Sequence, residues 1–174
     1  IVISLVGSEM CIRDRHNPFQ CNLGYQVSLS GKGEWDKKGD YVGKQALEKM
    51  KSDLKDGHKP YKLQLVGFEI GGKPIDEYAP DFWLVSPGEG GDPCGFITSP
   101  WYHPEKGKNI AMGYIPFDGA LNANGFPKWE LGKKFKVHLP DIYADEPGVP
   151  VDAVTVDIPF TQSFNANTRE VVKG

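Results

Sequence analysis

Asp40-Tyr41-Val42-Gly43-Lys44-Gln45-Ala46-Leu47 opens a helical pattern. Ala46, Leu47, Met50 and Leu54 recur at the spacing that puts apolar side chains on one face of a helix. Lys44, Glu48, Lys49, Lys51 and Asp53 fill the opposite face, and Glu48 with Lys51 forms an i,i+3 pair of favourable sign. Gly57 stands where a left-handed C-cap belongs, and Pro60 lies just beyond it. The pattern predicts one helix over about Gly43–Lys55, a connector between two regions of alternating, strand-like sequence.

Outward from that helix the chain is punctuated by turns. It has 174 residues, with 21 glycines and 14 prolines set between short apolar runs. Upstream, Asn17-Pro18-Phe19 is expected to be extended. Gly24–Leu29 alternates, with Tyr25, Val27 and Leu29 on one face, and Ser30–Gly39 is a polar loop. Downstream, strands are expected over Lys62–Ile70, with a bulge near Leu65–Gly67, and over Phe82–Val85, Gly95–Ser99, Asn109–Pro116, Lys134–Leu139 and Val151–Ile158. Pro87–Pro93 and Pro100–Lys108 are expected as loops. The fold class is mainly β, a barrel or sandwich of about six strands.

Charge and composition exclude several functions. A net charge of −3 gives no electrostatic case for nucleic acid or an anionic membrane. No apolar run approaches the ~18–20 residues needed to span a bilayer. The 3 cysteines, Cys11, Cys21 and Cys94, have no metal-type spacing and suggest a reducing, cytoplasmic setting. His16, His58, His103 and His138 are scattered, so no metal site is expected. His103, in Trp101-Tyr102-His103, has no neighbouring carboxylate to orient it as an acid or base and is expected as a surface-loop residue. Ser99 lacks a nucleophile-elbow context, and Gly88-Glu89-Gly90-Gly91 is acidic and opens no helix, so it would repel phosphate.

Several blocks, in order, carry a resemblance. Asp40–Leu47 resembles the Asp-Phe-Ile-Gly-Lys-x-Ala-Leu signature of the glycine-cleavage T-protein (aminomethyltransferase) superfamily. Asn22-Leu23-Gly24-Tyr25, Leu65–Ile70, Gly95–Ser99, Asn109–Pro116, Gly132–Val137 and Pro159-Phe160 are similar to further blocks of that family. The resemblance runs from Asn17 to Phe160. The insert Pro116–Glu130 and the loop Asp141–Pro150 are also similar to the tetrahydrofolate-dependent demethylase branch. Ser4–Arg15 resembles the translation of a sequencing adapter, so Ile1–Arg15 is expected to be foreign to the protein and His16 to begin within a longer polypeptide.

The resemblance implies three parts: a non-native segment 1–15, the C-terminal end of a folate-binding α/β domain with the connector helix at 16–57, and a C-terminal β-barrel at 58–174. It implies a C-terminal fragment of a tetrahydrofolate-dependent aminomethyl- or methyltransferase, which moves a one-carbon unit from an amine, ether or sulfonium donor to folate. A carrier protein is implied if the parent is a true glycine-cleavage enzyme. The family's catalytic acid and most of its folate pocket lie upstream, so this fragment is expected to be inactive by itself, with no catalytic residue of its own. Tyr25 is the candidate cofactor-binding residue, because it aligns with an aromatic near the folate pocket. Its own pattern leaves two roles open, a pocket wall or a core tyrosine beside Val27 and Leu29. The alternatives are a folate-binding iron–sulfur assembly factor, disfavoured because Asp40 stands where those proteins carry cysteine, and the folate domain of a sarcosine or dimethylglycine oxidase.

Overall fold

The computed structural model describes residues 16–27, 29, 41–77, 82–158 and 160. The segment 1–15, Asp40, the loop 30–39 and the tail 161–174 lie outside the described residues. The described chain forms two units. One runs to Gln64 and takes in Phe117–Lys128; the other comprises Leu65–Pro116 and the residues from Trp129 on.

The first unit is built on α1, Lys44–Lys55. Gly57, at φ +80°, follows its C-cap Asp56, as the sequence suggests. The docked face differs from the expected one. Leu54 is buried, and Leu47 and Met50 are half-buried against the same cluster, but Ala46 is exposed. At about 100° per residue, Leu47, Met50 and Leu54 fall within about 60° of one another, and Ala46 lies about 40° outside that arc, beyond Met50. Lys51, expected outside, falls beside Leu47 and is half-buried. The ion pair on the helix is Lys49–Asp53, at 2.9 Å, rather than Glu48–Lys51.

The strands form a closed antiparallel barrel, which makes up the second unit from Leu65 on; Leu63 and Gln64, at the start of its first strand, are counted with the first unit. The barrel strands are β1 Leu63–Ile70, β2 Trp83–Pro87, β3 Gly95–His103, β4 Lys108–Pro116, β5 Lys134–Val137 and β6 Val151–Val156, in the order β1-β4-β3-β2-β5-β6. Alternate side chains fill the interior, among them Val66, Phe68, Val85, Ile97, Ala111, Phe135, Val137, Val151 and Ala153. Phe68 and Phe135 meet edge to face, with centroids 5.9 Å apart. Gly113 is required by this packing, because a Cβ there would lie 2.6 Å from the Phe96 carbonyl oxygen.

Three strand expectations change. β1 keeps one phase throughout, with Gln64, Val66, Phe68 and Ile70 buried, and it pairs with β6 in continuous register. Leu63 and Leu65, apolar residues on the phase opposite to Val66, Phe68 and Ile70, are half-buried, which accounts for the bulge expected near Leu65–Gly67. The bulge lies instead in β3, between Ile97 and Ser99. That strand also continues through Pro100 to His103, where a loop was expected. The Tyr102 N–H donates to Ile75 O at 2.8 Å, away from β4. Pro100, two residues earlier, shares that side, so its missing N–H removes no bond to β4.

Asn109 ties the β1–β2 connection to the barrel. It is 2% exposed; its Oδ1 accepts from Ile75 N at 3.0 Å, and its Nδ2 donates to Gly71 O at 3.2 Å and Lys73 O at 2.9 Å. A single side chain thereby pairs three backbone groups of the Gly71–Ile75 segment.

Candidate functional site

The candidate site is the segment 17–29 within the first unit. Asn17 Oδ1 accepts from Gln20 N at 2.9 Å, and Pro18 follows it, so an Asn cap and a proline start a tight turn where extended chain was expected. The Leu23 N–H closes that turn on Pro18 O at 2.8 Å. Asn22 adopts φ +61°, a left-handed conformation that asparagine tolerates. Gly24–Gln26 then form a 3₁₀ turn rather than the expected strand.

That turn decides where Tyr25 goes. Gly24 is pressed between Phe19 and Phe126, where an added Cβ would come within 2.8 Å of both rings. With Gly24 turned inward, Tyr25 is turned outward and is 70% exposed, while Val27 and Leu29 remain packed on the cluster. The core role for Tyr25 is therefore excluded: a 3₁₀ turn replaces the two-residue period that would have placed it beside Val27. Its hydroxyl accepts from Gln26 Nε2 at 3.1 Å.

The platform beneath is apolar and aromatic. Phe19, Leu54, Tyr61 and Phe117 form its buried centre, and Leu47, Met50, Leu121 and Phe126 pack around it. Tyr61 and Phe117 stack with centroids 4.8 Å apart. The Tyr61 hydroxyl is buried and finds no hydrogen-bond partner among the described residues. Burial first, and then the nearby Cys21 thiol, push that phenol far above its ordinary range, so it stays protonated. Gln64 is 1% exposed and holds the turn from below. Its Nε2 donates to Gln20 O at 3.0 Å, to Phe19 O at 3.5 Å and to Asn22 Oδ1. Sequence reasoning missed Gln64 and the Asn17-Pro18 cap. The cap was legible as an Asn-Pro pair; for Gln64, a polar residue in phase with Val66 and Phe68 was the only signal.

The other sequence candidates do not converge on this segment. His103 lies at the end of β3, its Nδ1 buried and without a partner among the described residues, and His138 Nε2 is 2.9 Å from Ser86 Oγ in the barrel. Ser99 is exposed, and Gly88–Gly91 form a tight turn closed by Gly90 N donating to Pro87 O at 2.9 Å. Cys21 and Cys94 are not joined in a disulfide, and burial pushes the Cys94 thiol up. Among the described residues no three His, Cys, Asp or Glu side chains gather as a metal would need, and no helix is long and apolar enough to cross a membrane.

The described residues form a closed six-stranded antiparallel barrel and one α-helix. The solved glycine cleavage system aminomethyltransferase T from Bartonella henselae matches this fold with a TM-score of 0.54 and 19% identity, over 85% of this chain and 33% of that one. No protein-family model matches the chain. Among curated proteins, it is 34% identical over 116 residues to an aminomethyltransferase of Symbiobacterium thermophilum, covering 66% of this chain and 25% of that enzyme. It is 31% identical over 114 residues to one from Synechocystis, covering 66% and 26% respectively. A Nostoc aminomethyltransferase aligns over 94% of this chain at 26% identity, covering 34% of its own length. The chain belongs to the glycine-cleavage T-protein (aminomethyltransferase) superfamily and corresponds to its C-terminal portion. It spans between 25% and 34% of the curated relatives it matches.

Proposed function

We propose that this chain is the C-terminal part of a tetrahydrofolate-dependent aminomethyltransferase, in which folate accepts a one-carbon unit from an amine donor. The observation that carries this is the 34% identity to an aminomethyltransferase across 116 residues of the chain. Amine donors are preferred to ether or sulfonium donors because the similar curated proteins are aminomethyltransferases. A carrier protein would present the donor, as in glycine cleavage. The assembly-factor alternative remains disfavoured by Asp40, which cannot supply thiol chemistry.

Within this reading, residues 16–57 end the folate-binding domain, and Tyr25 supplies one aromatic wall of the folate pocket. An exposed ring on a turn fixed by Gly24 and Gln64 suits stacking on a flat heterocycle, since its apolar face is in water until a ligand covers it. The chain carries no catalytic group of its own in this scheme and should be inactive alone. A bound ligand normally has ~70–90% of its surface buried, and one wall cannot provide that.

Calorimetric titration tests the proposal. The full-length parent should bind tetrahydrofolate in the micromolar range and the 174-residue chain only in the millimolar range or not at all, a gap of roughly 4 kcal/mol. Tyr25→Ala in the parent should weaken binding by about 1 kcal/mol. A parent that ignores tetrahydrofolate would remove the proposed activity; unchanged affinity in the variant would remove Tyr25 from the pocket.

A further inference from the structure

Asn124-Gly125 is the single Asn-Gly pair in the chain. It sits at the tip of a short hairpin inside the insert 116–130, closed by the bridge between Leu121 and Pro127. Asn122 builds the turn. Its carbonyl accepts from Gly125 N at 2.9 Å, and its Oδ1 accepts from Asn124 N at 2.9 Å and from Phe126 N at 3.1 Å. Gly125, at φ +76°, takes the left-handed position that a type I turn followed by a bulge requires. Asn124 is exposed, and its side-chain amide makes no hydrogen bond among the described residues.

These features favour attack of the Gly125 nitrogen on the Asn124 side chain. Glycine has no Cβ to crowd the ring that forms. The Asn124 amide is free to turn toward it, and the backbone bond that must open is that from Gly125 N to Asn122 O. It lies at an exposed loop tip, where local opening is least costly. A cation stands alongside. Lys55 Cε is 3.9 Å from the place a Cβ on Gly125 would take, so its ammonium can offset the negative charge that develops on ring closure.

We propose that Asn124-Gly125 is a self-modifying site, which ages into isoaspartate and thereby releases the turn that presents Tyr25. The Gly125 nitrogen bonds to Asn124 Cγ, the Cγ–Nδ2 bond breaks, and Nδ2 leaves as ammonia with the proton that Gly125 gives up. Water then opens the succinimide at either carbonyl, to aspartate or to isoaspartate, and nothing is oxidised or reduced. Isoaspartate routes the main chain through the former side chain and lengthens it by one carbon, directly before Gly125 and Phe126. Phe126 is one of the rings that press on Gly24 and so turn Tyr25 outward. A longer hairpin tip moves that ring off Gly24. The aspartate product keeps the original backbone and leaves the ring in place.

Incubation of the 174-residue chain at mildly alkaline pH, followed by peptide mapping with mass spectrometry, tests the chemistry. Asn124 should lose its amide nitrogen several-fold faster than Asn17, Asn22, Asn109 or Asn122, with isoaspartate the larger product. Asn124→Gln should not convert, because its longer side chain closes a ring less readily. Hydrogen exchange on the aged chain tests the consequence. The Gln26 and Val27 amides should exchange several-fold faster, whereas those of Asn124→Gln aged alongside, and of freshly purified Asn124→Asp, should be unchanged. Conversion of Asn124 no faster than that of the other asparagines would overturn the proposal. So would unchanged exchange at Gln26 and Val27 in the aged chain, which would mean that the Phe126 contact survives. Faster exchange in fresh Asn124→Asp would overturn it as well, since the added charge rather than the longer backbone would then be at work.

Discussion

Replacing Gln64 by methionine should loosen the turn that presents Tyr25 while leaving the barrel intact. Methionine keeps the length and nearly the volume of glutamine, so the packing change is small. What disappears is the amide, whose Nε2 donates to Gln20 O at 3.0 Å, to Phe19 O at 3.5 Å and to Asn22 Oδ1. All of this happens at a residue 1% exposed, where water cannot take over those bonds. A net hydrogen bond contributes about 1 kcal/mol, and a buried group left unsatisfied costs about 1–3 kcal/mol. The bond at 3.5 Å is weak, so the expected local loss is about 2 kcal/mol. Native-state hydrogen exchange is the suitable assay, because it resolves one segment from another. The Gln26 and Val27 amides, which donate to Leu23 O at 3.0 Å and Gly24 O at 3.1 Å, should exchange roughly 30-fold faster, the factor that about 2 kcal/mol represents. Amides within β5 and β6 should exchange as before. Equal acceleration in the turn and in β5–β6 would refute the reasoning, since the loss at Gln64 would then spread through the barrel instead of staying with the turn it holds.

Leu54→Ala should destabilise the first unit by about 2–5 kcal/mol, because Leu54 is 2% exposed, whereas Ala46→Asp, on the exposed side of α1, should stay within about 0.5 kcal/mol; urea unfolding followed by helical circular dichroism distinguishes the two. Asn109→Ala should cost about 2–4 kcal/mol by leaving Ile75 N and two carbonyls unpaired, and it should speed exchange of the Ile75 amide before that of β4. Asp152, bonded to Lys136 at 2.8 Å, has its carboxyl held below the ordinary aspartate range by that hydrogen bond and then by the lysine's charge. Because the folded value is the lower one, the pair's stabilisation is present above the ordinary aspartate pKa and fades as pH falls through the folded value. The stability difference between wild type and Lys136→Met should therefore shrink on acidification below pH ~4, and it should be small and salt-sensitive, since Asp152 is 84% exposed.

The sequence was most legible where one physical rule acted alone. β5 and β6 show strict alternation, and Phe135, Val137, Val151 and Ala153 are buried as that alternation requires. The helix was legible for the same reason, down to the left-handed Gly57 after its last turn. Errors arose where two rules competed. Gly24–Leu29 alternates well enough for a strand, but Gly24 must pass between two rings, and that tertiary contact won. In β1, polar Gln64 holds an inward position because its partners are backbone carbonyls of a distant turn, which no local pattern reports. Pro100 reads as a strand breaker until the direction of its missing N–H is known.

The same contest explains why the candidate site was only half legible. Tyr25 could be singled out as an aromatic with a polar tip, but not assigned between wall and core. Its orientation depends on Gly24 packing against Phe126, about a hundred residues downstream, and on Gln64 beneath the turn. Exposure of the ring is thus a property of the assembled first unit rather than of the segment that carries it. A change at Gly24, Phe126 or Gln64 should alter how the ring is presented without touching the ring itself. Substitutions at those three positions, compared with Tyr25→Ala, can therefore separate the presentation of the ring from its chemistry.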